Sequence, residues 1–149
     1  MRQFKAKSHL YELRKLQTSF PKVKLVTSRE ASNFVRQFYE DDIEIFESFF
    51  ILCLNQANNT IGFAKIISQG GITGTVVDVR LIAFYATHML ATSIIMLHNH
   101  PSGNKQPSDA DTAITQKTKE GLKLLDIKVL DHIILTHDGF FSFADEGLL

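Results

Sequence analysis

An apolar run, Ile94-Ile95-Met96-Leu97, passes without a break into His98-Asn99-His100-Pro101, and this succession constrains the chain more than any other stretch. Consecutive apolar residues leave no side for water, so Ser93 to Leu97 reads as a short buried strand. Side chains alternate along a strand, which sends the imidazoles of His98 and His100 to the same side of its end. Pro101 to Pro107, containing Gly103, reads as a loop, and a helix follows from about Ser108 towards Leu125. The chemistry is expected around that loop.

The remaining pattern supplies the scaffold. Thr27-Ser28-Arg29-Glu30 fits a capping box, and Ala31, Phe34, Val35 and Phe38 follow at helical spacing. Glu47 to Leu54 turns continuously apolar, and the polar Asn55 to Thr60 stretch separates it from Ile61 to Ser68, which predicts an antiparallel strand pair. Gly70, Gly71 and Gly74 read as a turn, after which Leu81, Ile82, Phe84, Tyr85, His88 and Met89 mark a second helix whose broad apolar stripe predicts burial. Val129 to Leu135 and Phe140 to Phe143 flank His137-Asp138-Gly139, where Asp-Gly signals a hairpin. The order αββαβαββ predicts a single-domain α/β fold with one mixed sheet covered by helices. A leader over residues 1–26 precedes a domain over residues 27–149.

Composition removes several function classes. The 149 residues suit one domain, and 44% apolar with 21% charged residues is the balance of a folded globule. Runs such as Phe49 to Leu54 are far short of the roughly 20 residues a membrane helix needs. With no signal-peptide core at the N-terminus, the expectation is a cytoplasmic protein without a membrane partner. The single Cys53 excludes an internal disulfide and any multi-cysteine metal site. Net charge is zero, yet residues 1–24 carry seven Lys/Arg against only Glu12. Such an arm can hold a nucleic-acid backbone, or it can be a solvated leader. Acidity gathers at Glu40-Asp41-Asp42-Ile43-Glu44, an expected exposed turn, since adjacent carboxylates repel unless solvated.

Any metal must then rely on histidine and carboxylate. A catalytic zinc site takes three protein ligands and leaves a fourth position open, so His98 and His100 need a third. Asp111, eleven residues on, falls one turn inside the predicted helix, on the face it shares with Ser108. Ser-x-x-Asp ahead of an apolar helix is equally a capping box, so this pair has two readings. His98, His100, Ser108 and Asp111 lie within fourteen residues of one another, and such a concentration costs desolvation unless the groups satisfy one another or bind an ion. Zn2+ suits these ligand types.

His98-x-His100-Pro101 followed by Ser108-x-x-Asp111 resembles the JAMM signature of JAB/MPN+ metalloproteases. The RadC-type branch is the closer match, through His98-Asn99-His100-Pro101-Ser102-Gly103, Pro107-Ser108 with Asp111 and Thr115, Asp131-His132-Ile133-Ile134, and Ser142-Phe143-Ala144-Asp145-Glu146-Gly147. The likeness covers roughly residues 40–149. It implies a cytidine-deaminase-like αβα sandwich with zinc on His98, His100 and Asp111. It also implies a glutamate ahead of a core strand, a position Glu47 fits best and Glu44 next. By the same resemblance the protein is a zinc metallopeptidase or isopeptidase-like hydrolase, in which a water on the metal attacks an amide carbonyl of a protein or peptide. Glu47 would serve as base and then acid, and Ser108 would hydrogen-bond the developing oxyanion.

Other readings are weaker. An HNH nuclease scatters its residues over a ββα unit, whereas His98-Asn99-His100 is contiguous; His-Glu-x-x-His and a phosphate-binding Gly-rich loop are both absent from the sequence. The alternative that stands is a non-enzymatic or DNA-associated module in DNA repair or mobile-element maintenance. Longer members of the RadC-type branch carry an N-terminal helix-hairpin-helix region, for which the residues ahead of the matching part are too few, so DNA contact would fall to the basic leader. His132 reads as a strand-packing residue or, second, as a support for the site. Cys53 reads as a small buried hydrophobe.

Overall fold

The structure is a computed structural model that describes residues 20–39, 42–66 and 76–149. Most of the basic leader, Glu40 and Asp41, and the Gly70, Gly71 and Gly74 turn lie outside the described residues. Thr27 caps helix α1 (Ser28–Val35): its hydroxyl accepts from the Glu30 N–H while the Glu30 carboxylate accepts from the Thr27 N–H. Two orphan helix donors are thereby satisfied reciprocally, as the sequence predicts. Strands β1 (Phe49–Leu54) and β2 (Thr60–Ile66), helix α2 (Val79–His88), strand β3 (Ser93–Asn99), helix α3 (Asp109–Lys123) and strands β4 (Lys128–Thr136) and β5 (Gly139–Ser142) follow in the expected order. They build one five-stranded sheet, β2-β1-β3-β4-β5, in which only β3 and β4 are parallel. That pair needs a crossover, which α3 supplies.

Strand alternation divides the core in two. Phe49, Ile51 and Cys53 of β1 pack with Ile82 and Ala86 of α2 and Leu122 of α3, while Phe50, Leu52 and Leu54 pack with Ala31 and Val35 of α1. The result is three layers, α1 on one face and α2 with α3 on the other. Every residue of β1 and β3 is buried, as strands covered on both faces must be. Two details differ from expectation. Strand β3 continues past Leu97 to Asn99, so His98 and Asn99 belong to the ladder. Helix α2 buries only Ile82 and Ala86, with Phe84 half exposed, because an outer-layer helix meets the sheet along one stripe. Among the described residues no helix is long and apolar enough to cross a membrane.

Candidate metal centre

The site forms where the end of β3 meets the start of β1. Antiparallel register sets Phe49 opposite His98, so Glu47 and Ser48, just ahead of β1, lie beside the strand end that carries the histidines. His98 points to the α3 side with Met96, and Asn99 to the α1 side. There the fully buried Asn99 side chain donates from Nδ2 to the Ile43 and Phe46 carbonyls at 2.6 and 2.8 Å and accepts from the Ser48 N–H. One strand end thus presents the imidazoles on one face and anchors the Glu47 segment with the other.

His98, His100 and Asp111 converge. The two Nε2 atoms are 3.0 Å apart, Asp111 Oδ1 lies 3.1 Å from His98 Nε2, and Oδ2 lies 3.4 Å from His100 Nε2. Ligand atoms at about 2.0–2.1 Å from a tetrahedral zinc are about 3.3 Å from one another, so these three groups fit one face of such a tetrahedron. His100 Nδ1 lies 2.6 Å from the Asn104 carbonyl, which can only accept; Nδ1 therefore carries the proton, and in the neutral ring Nε2 is left with its lone pair. Two nitrogen lone pairs and a carboxylate at these distances repel unless a cation, proton or metal, lies among them. Burial opposes ionisation of Asp111, yet donation from the His100 and His98 rings in their protonated forms outweighs it and holds the carboxyl far below the usual range. The hydrogen bond to Asp111 correspondingly raises His100 above its ordinary value against the opposing effect of burial, with Asn104 and the Glu47 charge adding to the rise.

The capping-box reading of Ser108-x-x-Asp111 holds, and the same carboxylate faces the histidines. Ser108 is the N-cap of α3 and accepts from the Asp111 N–H, while its own N–H and hydroxyl both donate to Asp111 Oδ2 at 2.7 Å. The capping box fixes the carboxylate that faces the histidines. Glu47, partly buried, borders with Asp111 a cavity of about 240 Å3, walled by Phe49, Val76, Val77, Ala110 and Ile114. Glu44 is exposed in the preceding turn and is not among the residues lining that cavity.

The sequence predicts a packing role for His132 first and support for the site second, and the structure gives it both a packed position and a contact with His98. It is fully buried between the rings of Phe49 and Phe143, and its Nε2 lies 2.8 Å from His98 Nδ1. Burial pushes its pKa well below the ordinary value and favours the neutral ring, and repulsion from His98 whenever that ring is protonated acts in the same direction. Its other nitrogen meets the Thr115 hydroxyl of α3. The signal was in the sequence only as Thr115 and Asp131-His132, which no local spacing ties to the loop. Asp131 itself braces the C-terminal hairpin, accepting from the Ser142 hydroxyl at 2.6 Å and the Ala144 N–H at 3.0 Å.

Residues 25–148 match the RadC-like JAB domain family. A UPF0758 protein of Flavobacterium johnsoniae is 48% identical over 102 residues, covering 68% of this chain and 44% of that protein. A UPF0758 protein of Porphyromonas gingivalis is 45% identical over 104 residues, 69% of this chain and 45% of its own length. UPF0758 protein YfjY of Escherichia coli is 42% identical over 103 residues, 69% of this chain and 64% of its own. The matched stretch thus spans between about two fifths and two thirds of these relatives.

Proposed function

The chain belongs to the RadC-like JAB domain family, and from that premise we propose that it is a zinc-dependent hydrolase of the JAMM type, cleaving an amide or isopeptide bond in a protein or peptide. The observation that supports this most is the convergence of His98 Nε2, His100 Nε2 and the Asp111 carboxylate within 3.0–3.4 Å of one another. Two imidazoles and one carboxylate are a donor set of catalytic zinc, with the fourth position left for the reaction. Zinc, when bound, supplies a Lewis acid that polarises a carbonyl and lowers the pKa of water towards about 7. Glu47, on the wall of the adjoining cavity, takes the proton from the attacking water on its carboxylate and returns it to the leaving nitrogen. The Ser108 hydroxyl, held on Asp111 Oδ2, turns towards the substrate oxygen as charge develops there, a donor of the kind worth about 3 kcal/mol in other hydrolases.

Elemental analysis of protein purified with zinc present tests the metal, and a fluorogenic peptide and isopeptide panel tests the reaction. The expected result is one zinc per chain, lost in His98→Ala and Asp111→Ala together with hydrolysis. A zinc-free wild type, or undiminished zinc in both variants, contradicts the metal assignment. Stoichiometric zinc with no cleavage across the panel contradicts the reaction.

A further inference from the structure

A closed hydrogen-bond path runs from one ligand to another through two residues that touch neither the cavity nor the convergence point. His98 Nδ1 meets His132 Nε2 at 2.8 Å, His132 Nδ1 meets Thr115 Oγ1 at 2.5 Å, and Thr115 Oγ1 meets the Asp111 backbone carbonyl at 2.5 Å. Thr115 and His132 are buried, at 2% and 0% exposure, so no water competes for their polar atoms. The direction of every bond follows from its last member. A carbonyl oxygen only accepts, so the single Thr115 hydroxyl proton goes to Asp111. Thr115 Oγ1 must then accept from His132 Nδ1–H. A neutral imidazole carries one proton, so His132 Nε2 is an acceptor, and His98 Nδ1 must be the donor. In the neutral His98 ring the lone pair is thereby left on Nε2, the atom that faces His100 and Asp111.

We propose that His132 and Thr115 are positioning residues that lock His98 in its Nδ1–H tautomer and so preset Nε2 as a metal ligand before any ion arrives. The inference rests on the metal reading above for its purpose, but the tautomer is a property of the metal-free chain. It explains why β4 carries a histidine on a buried position: a phenylalanine there would pack against Phe49 and Phe143, yet would leave His98 Nδ1 unpartnered and free to surrender its proton to Nε2. Parallel register makes the contact possible, because Met96 pairs with His132 and His98 with Ile134, so the two imidazoles meet on the diagonal of one sheet face.

Long-range proton–nitrogen NMR of the metal-free protein reads the tautomer directly, and zinc competition against a chromophoric chelator reads its consequence. The expected results are a protonated Nδ1 on His98 in the wild type, a shift towards protonated Nε2 in Thr115→Val, and about 10–100-fold weaker zinc binding in that variant. Thr115→Ser, which keeps the hydroxyl, restores binding to within about threefold of the wild type. A packing role alone would move the stability of Thr115→Val without moving the tautomer. The proposal is overturned by an Nε2–H tautomer in the wild type or by equal zinc affinity in wild type and Thr115→Val. Should the wild type bind no zinc, the metal reading fails, and the wild-type tautomer alone decides the lock; that spectrum also serves if Thr115→Val does not fold.

Discussion

Asn99 Oδ1 accepts a hydrogen bond from the Ser48 backbone N–H at 2.8 Å, across 51 positions of sequence. With its Nδ2 bonds to the Ile43 and Phe46 carbonyls, Asn99 ties the Glu47-bearing turn to the strand that carries His98. Asn99→Leu keeps the volume and removes all three bonds, leaving one donor and two acceptors to find other partners. The expected cost is about 3 kcal/mol, at roughly 1 kcal/mol for each bond, read as a lowered urea midpoint. Zinc stoichiometry should hold, because the histidines sit on the other face, while hydrolysis falls at least about tenfold as Glu47 loses its position.

Glu47→Gln separates proton transfer from metal binding. The amide is isosteric but cannot take a proton, so the turnover rate is expected to fall about 10^2–10^4-fold. Elemental analysis of the same preparation should show undiminished zinc, since Glu47 is outside the His98, His100 and Asp111 group. Glu44→Gln, changing an exposed turn residue, should leave the rate near that of wild type.

The structure also makes Cys53 inert. It is buried in the middle of β1, and loss of solvation pushes its thiol from an ordinary 9.0 up to about 12. At pH 8 only about one thiol in 10^4 is then ionised, and the thiolate is the form that reacts. Alkylation of the native protein with iodoacetamide is therefore expected to be negligible from pH 7 to 9 and to become complete in denaturant. Rapid labelling of the native chain would place Cys53 elsewhere.

How much of this was legible in the sequence depends on how far each contact reaches. The Thr27 capping box, the strand leading into His98 and the helix that carries Asp111 are local patterns, and each is present, the strand running two residues further than its apolar run. His98 and His100 share a side because a strand alternates, which needs no tertiary information. Glu47 is different: its nearness to the histidines comes from the antiparallel register of β1 on β3, and without the family resemblance nothing local distinguishes it from any charged residue at a strand entrance. His132 and Thr115 were further from reach, since they meet only when β4 lies parallel to β3 and α3 crosses back over both. The exposed Phe84 shows the opposite failure, an apolar pattern broader than the stripe that packing uses.

The proposed reaction requires a cation held jointly by His98, His100 and Asp111, and zinc-edge anomalous diffraction from crystals grown with zinc tests that most directly. The expected result is a single strong peak about 2.0–2.2 Å from His98 Nε2, His100 Nε2 and an Asp111 oxygen. Diffraction with no peak among those three side chains, or zinc found only elsewhere on the surface, would contradict it.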